Sequence, residues 1–171
     1  MTSYVALLRG VNLMGSTTLR MADLKAIAEE LGLQSPRTFI ASGNLLFTSR
    51  KGERAIKSAL QAALTTRMSR DVSVMVRTAE EMARVASNNP FGDAPGNKVV
   101  AIFLDEAPPK DALENAKNVA GERMALGTRE IYVHYPNGQG QSKLRIPAAA
   151  TGTARNMNSV RKMAAMAEEV A

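Results

Sequence analysis

The period of the apolar positions changes repeatedly along the chain, and each change marks an element. Tyr4 to Arg9 is a short β-rich run closed by Gly10, which predicts a strand. Residues 11–18 read as a loop with Gly15 as its turn residue. Leu24, Ile27, Ala28 and Leu31 fall at i, i+3, i+4 and i+7, one face of a helix that Gly32 ends. Arg37 to Ala41 and Leu45 to Ser49 are β-like, and Ser42-Gly43-Asn44 between them has hairpin-turn composition. Ile56, Ala59, Leu60, Ala63 and Leu64 keep helical spacing, and Val72, Val74 and Val76 alternate as in a strand. The order β-α-β-β-α-β is that of a ferredoxin-like unit.

The second half reads as a modified repeat of the first. Thr78-Ala79-Glu80-Glu81 fits a capping box and predicts a helix start. Asn88 to Asn97 holds two Pro and two Gly and reads as a loop. Val99 to Leu104 is a continuous apolar run, as in a central strand covered on both faces. Pro108 and Pro109 are expected to open a helix reaching Val119. Arg123 to Leu126 and Arg129 to Tyr135 predict a hairpin around Gly127-Thr128, followed by a turn-rich loop over 136–140. The tail over 156–170 is helical, with Met157, Val160, Ala164 and Ala167 on one face. Seven strands in two sets predict an α+β fold of two fused ferredoxin-like (β-α-β-β-α-β type) halves with antiparallel sheets and C-terminal helices. The halves are expected at residues 1–78 and 79–171, packed as one compact unit because no linker separates them.

Composition narrows the chemistry. The chain has 171 residues, 45% hydrophobic and 22% charged, an ordinary globular mixture. It has no Cys, which excludes disulfides, thiolate nucleophiles and thiolate metal sites. His134 is its one histidine, so no clustered zinc site is expected, and no cofactor. No apolar stretch approaches the roughly 20 residues that span a bilayer, and no basic segment precedes the apolar start. A cytoplasmic protein without membrane contact is expected. The net charge is +6, which favours anionic partners, whether small molecules or nucleic acid. The charge is unevenly placed. From Ile131 to Ala167 there is no Asp or Glu, yet Lys143, Arg145, Arg155, Arg161 and Lys162 lie there.

Three groups of residues are candidates for chemistry. In the loop Asn137 to Lys143, Gly138 and Gly140 would let backbone N–H groups converge, Ser142 would cap a helix start, and Lys143 adds charge. In Arg155-Asn156-Met157-Asn158, followed by Arg161-Lys162, the residues Arg155, Asn158 and Lys162 are spaced to share a helix face, with Asn156 as N-cap. Arg9, Asn12, Ser42 and Asn44 stand at strand ends and a turn, where Gly and Asn also serve positive φ. Ala41-Ser42-Gly43 lacks the first Gly of a nucleophile elbow, so Ser42 is not read as a hydrolase nucleophile. His134 reads as a structural strand residue.

Five stretches together carry a resemblance. They are Leu7 to Gly15 with Met21 to Leu24; Thr38 to Phe47; Val76 to Thr78 with Asn89 to Phe91; Ile131 to Leu144; and Thr153 to Met163. In this order they resemble the bacterial domain-of-unknown-function 1697 family. The resemblance implies duplicated ferredoxin-like halves and no particular substrate, cofactor or reaction. Three positions depart from the family pattern: Met157 where Trp is usual, Met14 where Gly is usual, and Pro147 in what is normally a short helix. The reading favoured by charge and the glycine loop is a binding protein for an anionic or phosphorylated ligand. The alternatives are an enzyme acting on a small anionic substrate through Arg9, Asn12, Ser142 and Lys143, and a protein–protein interaction module, for which a homo-oligomer stays open.

Overall fold

In this computed structural model, residues 1–11, 19–40 and 43–170 are described. Strand β1 (Thr2–Leu8) runs through the first sheet between two antiparallel neighbours, β3 (Asn44–Ser49) and β4 (Val74–Thr78), and β2 (Gln34–Thr38) adds to the outside of β3. The order is β2-β3-β1-β4. Strand alternation sends Tyr4, Ala6, Leu8, Leu45, Phe47, Val74 and Val76 to one face. There they meet Leu24, Ile27 and Ala28 of α1 (Met21–Glu30) and Ile56, Leu60 and Leu64 of α2 (Glu53–Met68) in one apolar core. Tyr4 and Phe47 are direct cross-strand partners whose ring centroids lie 5.8 Å apart.

The end of β2 and the start of β4 differ from the expected ones for local reasons. β2 ends at Thr38 because the chain turns at Ile40, with φ +48, while the Phe39 N–H and the Asn44 side chain exchange hydrogen bonds with each other's carbonyl or backbone neighbours: Phe39 N donates to Asn44 O and Asn44 Nδ2 to Phe39 O. β4 begins at Val74 because the N–H groups of Val72 and Val74 donate to α2 side chains, Thr65 Oγ1 and Gln61 Oε1.

The second sheet repeats the first. Its strands are β5 (Val99–Phe103), β6 (Arg123–Leu126), β7 (Glu130–His134) and β8 (Thr153–Asn156), all paired antiparallel in the order β6-β7-β5-β8. Counting from the first strand of each sheet, both orders are 2-3-1-4. This is the α+β layout of two antiparallel ferredoxin-like halves, with one strand more than the seven expected. The eighth, β8, pairs with β5 just before the final helix.

The helix expected after Pro108 and Pro109 does not form. Ala112, Glu114 and Ala116 donate to the carbonyls of Pro109, Asp111 and Leu113, three residues back, so residues 110–115 make a run of turns. Lys117 then leaves the turn entirely. Its N–H and C=O are taken by Arg145 in an isolated antiparallel bridge, with N···O distances of 2.7 and 2.9 Å. Between β7 and β8 only two 3₁₀ turns occur, Gln139–Gln141 and Pro147–Ala149. Val100, Ile102, Ile131, Val133, Tyr135 and Ile146 form the core on this face.

The duplication extends to single residues. Arg77 and Arg155 both sit on the last strand of their sheet, opposite Val5 and Ala101 of the first strand, and each is followed by the N-cap of a helix. Each donates Nη1 to the carbonyl of the preceding residue, Val76 or Ala154. After Arg77, Thr78 and Glu81 close a capping box at α3 (Ala79–Ser87), with bonds of 2.9 and 3.1 Å. After Arg155, Asn156 Oδ1 accepts the Ser159 N–H at the start of α4 (Met157–Val170). Both arginines are buried, and burial pushes the Arg155 guanidinium down to about 10, which leaves it charged at neutral pH.

By internal contacts the chain forms two units, Met1–Met82 with Met163–Ala171, and Ala83–Lys162. In the first, Ser3 Oγ donates to Ala167 O of α4 at 2.6 Å; in the second, the Tyr132 hydroxyl donates to Val85 O of α3 at 2.8 Å. Among the described residues no helix is long and apolar enough to cross a membrane.

Candidate functional site: two clefts beside Tyr135

Past the end of β7, the sequence replaces apolar alternation with Tyr135-Pro136-Asn137-Gly138, and the chain must turn. Tyr135 N donates to Lys98 O at 2.8 Å, and Lys98 Nζ donates to Pro136 O at 3.1 Å, so the residue just before β5 holds the loop at both points. Gly138 has φ +84, a conformation that favours glycine. A cleft of about 380 Å³ opens here, lined by Asn118, Glu122, Tyr135, Gln141, Ser142 and Lys143 among others. Its fixed point is Glu122. One carboxylate oxygen accepts the Ser142 hydroxyl and the other the Ala120 N–H, both at 2.6 Å. The Ser142 hydroxyl, by donating first and foremost, holds the Glu122 carboxyl below its ordinary value.

A second cleft of about 480 Å³ shares Tyr135 as a wall. Lys117 and Arg145 border it, and Ile102, Leu144, Ile146 and Pro147 contribute apolar surface. Both cations are exposed, whereas Ile102 and Ile146 are each only 8% exposed. Burial, with a lesser contribution from Glu122, pushes the Tyr135 hydroxyl up, so it stays protonated at neutral pH.

The structure places the expected residues unevenly. Gly138, Gly140, Ser142 and Lys143 lie on the loop of the first cleft. Its N–H groups are partly taken: those of Gly138, Gln141 and Ser142 donate to Tyr135, Gly138 and Gln139 carbonyls. Ser142 ends the 3₁₀ turn instead of opening a helix, and its Oγ accepts the Leu144 N–H. The helical spacing expected of Arg155, Asn158 and Lys162 does not apply, because the helix begins at Met157 and Arg155 belongs to β8. Arg155 Nη1 donates to Thr153 Oγ1. The Asn158 side chain lies over Gly96, where a Cβ at that glycine would collide with it, and Lys162 is exposed. Asn156 caps α4 as expected. Asn44 is fully buried and holds the β2–β3 turn, and Arg9 follows β1 in the other unit. Asn12, Met14, Gly15 and Ser42 lie outside the described residues.

His134 is structural. Arg123 Nε donates to its Nδ1 at 3.1 Å, while the same guanidinium grips Asp93 at 3.2 Å and lies 4.8 Å from the Phe91 ring centroid. In that bond Nδ1 is the acceptor. Ser142 therefore pairs with Glu122, not with histidine. Nothing in the sequence marks Glu122, Lys117 and Tyr135, because Ser142, Arg145 and Lys98, which bond to them here, stand 20 or more residues away in the chain. Among the described residues no three His, Asp or Glu side chains gather where they could hold a metal ion.

Comparison with known proteins agrees with this architecture. A solved structure described as a conserved bacterial protein from Streptococcus pneumoniae is similar, with a TM-score of 0.80 at 22% identity, covering 97% of this chain and 98% of that one. At that identity the likeness concerns the fold. No curated protein matches. Residues 1–132 match the family model described as Protein of unknown function (DUF1697), well over half of the 171 residues, and the chain belongs to that family.

Proposed function

We propose that the protein binds a small anionic ligand in its second unit, at the cleft bordered by Lys117 and Arg145. The observation that carries this reading is the bridge itself. Two residues that exchange both backbone hydrogen bonds stand directly opposite each other, with side chains on the same side. Like charges in that relation repel and lower stability by up to about 1 kcal/mol. Among the described residues neither cation has an acidic partner to offset this repulsion. An anion held between them would. The acid-free run from Ile131 to Ala167, which includes Arg145 and Lys143, supports the same sign of ligand. The first cleft suits an anion less well, since it carries the Glu122 carboxylate.

Thermal unfolding in the presence of phosphate, citrate and a short oligonucleotide tests this. A small anion should raise the melting temperature of the wild type and leave the double variant K117Q/R145Q unmoved. An oligonucleotide bound with a steep salt dependence, while small anions have no effect, would replace the small-ligand reading with a nucleic-acid one. No shift with any anion would end both.

A further inference from the structure

The cleft at Lys117 and Arg145 is not a simple ion site, because its charge comes from one bridged pair and most of its other lining residues are apolar. Ile102 comes from the middle of β5. Leu144, Ile146 and Pro147 come from the segment just beyond the first cleft, and Tyr135 closes the side. Ile102, Ile146 and Tyr135 are members of the second core cluster, and Leu144 packs against it. The cleft is thus a place where the core of this unit comes to the surface next to the Lys117–Arg145 bridge. Inorganic phosphate or sulfate would meet the cations and leave that apolar surface wet. A wholly apolar ligand would cover the surface and leave the paired charges facing each other.

We infer that the ligand is an amphiphilic anion: a carboxylate or phosphate monoester carried on an aliphatic or aromatic body. This rests on the anion-binding reading above and gives that ligand its chemical class. The anionic head sits against Lys117 and Arg145, and the body lies on Ile102, Leu144, Ile146 and Pro147. The volume, about 480 Å³, falls within the range of small-molecule sites, about 300–1,000 Å³. The Tyr135 hydroxyl stays protonated and makes no hydrogen bond to another described residue, so it is a neutral donor at the wall between the clefts.

The test is a titration of the full chain with acetate, butyrate, hexanoate and octanoate, each below its micelle concentration, beside inorganic phosphate and octanol. Burial of each methylene predicts an affinity gain of about threefold to fourfold along the series. The variant K117M/R145M, which keeps the apolar stems, should lose octanoate binding. L144N, at a half-buried wall position, should flatten the dependence on chain length while still binding phosphate, which also shows that it is folded. If phosphate and every carboxylate bind equally, the anion site stands and its amphiphilic character falls. If octanol binds as well as octanoate and phosphate not at all, the anion reading itself falls. Retention on phosphatidylglycerol vesicles without binding of free octanoate would likewise overturn the inference, replacing a cleft ligand with a lipid surface.

Discussion

At the scale of single residues, position in space decided which polar groups matter. Glu122 stands alone in sequence among turn residues, with nothing periodic to mark it. Its importance arises because the Ser142 hydroxyl, twenty residues on in the chain, closes on it at 2.6 Å. That bond acts on the charged carboxylate and lowers its pKa, so Ser142→Ala should let the Glu122 pKa rise toward its ordinary value. A carbon-detected NMR titration of the Glu122 carboxyl in both proteins measures this, and an unchanged midpoint would show that the bond is not formed in solution. The sign for stability follows. A carboxyl with a depressed folded-state pKa stabilises the fold at pH above its unfolded value, and that contribution is lost as pH falls through the folded-state pKa. Asn156 was legible because an N-cap is a local device: its carbonyl oxygen needs only an N–H three residues ahead. The place of Asn158 was not, because its side chain lies over Gly96, far away in sequence.

At the scale of elements, local chemistry was readable and pairing between segments was not. The capping box formed at Thr78 and Glu81, and the apolar run of β5 became a buried inner strand, since each rests on residues adjacent in the chain. The segment after Pro108 and Pro109 failed to become a helix. Prolines suit the first helical turn, but nothing local announces that Lys117 will bond to Arg145. That bridge makes a prediction of its own. Without ligand the two cations repel across it, so Lys117→Gln should stabilise the protein by a few tenths to about 1 kcal/mol at low salt. Added salt should shrink the gain. Urea unfolding of both proteins at two ionic strengths measures this. Destabilisation by Lys117→Gln at low salt would mean that the ammonium makes a favourable contact, and the argument for an anion between the cations would lose its basis.

At the scale of the whole molecule, the repeat was visible as an order of elements and hidden in its details. Alternation and helical spacing reveal β-α-β-β-α-β in the first half, and both sheets follow the same strand order. In the second half the crossover segments are turns and 3₁₀ helices, so the spacing that betrayed α1 and α2 has no counterpart there. The equivalence of Arg77 and Arg155 emerges only when the strands are paired, because their surroundings in sequence share little beyond the arginine and the cap. Among the described residues, unequal crossovers also give the two units different surfaces. In the first unit, α1 and α2 cover the sheet face with side chains from full helical stripes and close the core. In the second, shorter segments leave the clefts around Tyr135. Ligand effects should respect that division. In hydrogen exchange with and without octanoate, added protection should fall on the Lys117 and Arg145 amides, which bond across the bridge, and on the nearby Ala149 amide. The Leu8 and Arg9 amides, at the polar strand end of the first unit, should be unchanged. Protection that instead concentrates at Leu8 and Arg9 would move the site to the unit where Arg9 and Asn44 reside, and would make the clefts of the second unit a by-product of its shortened crossovers.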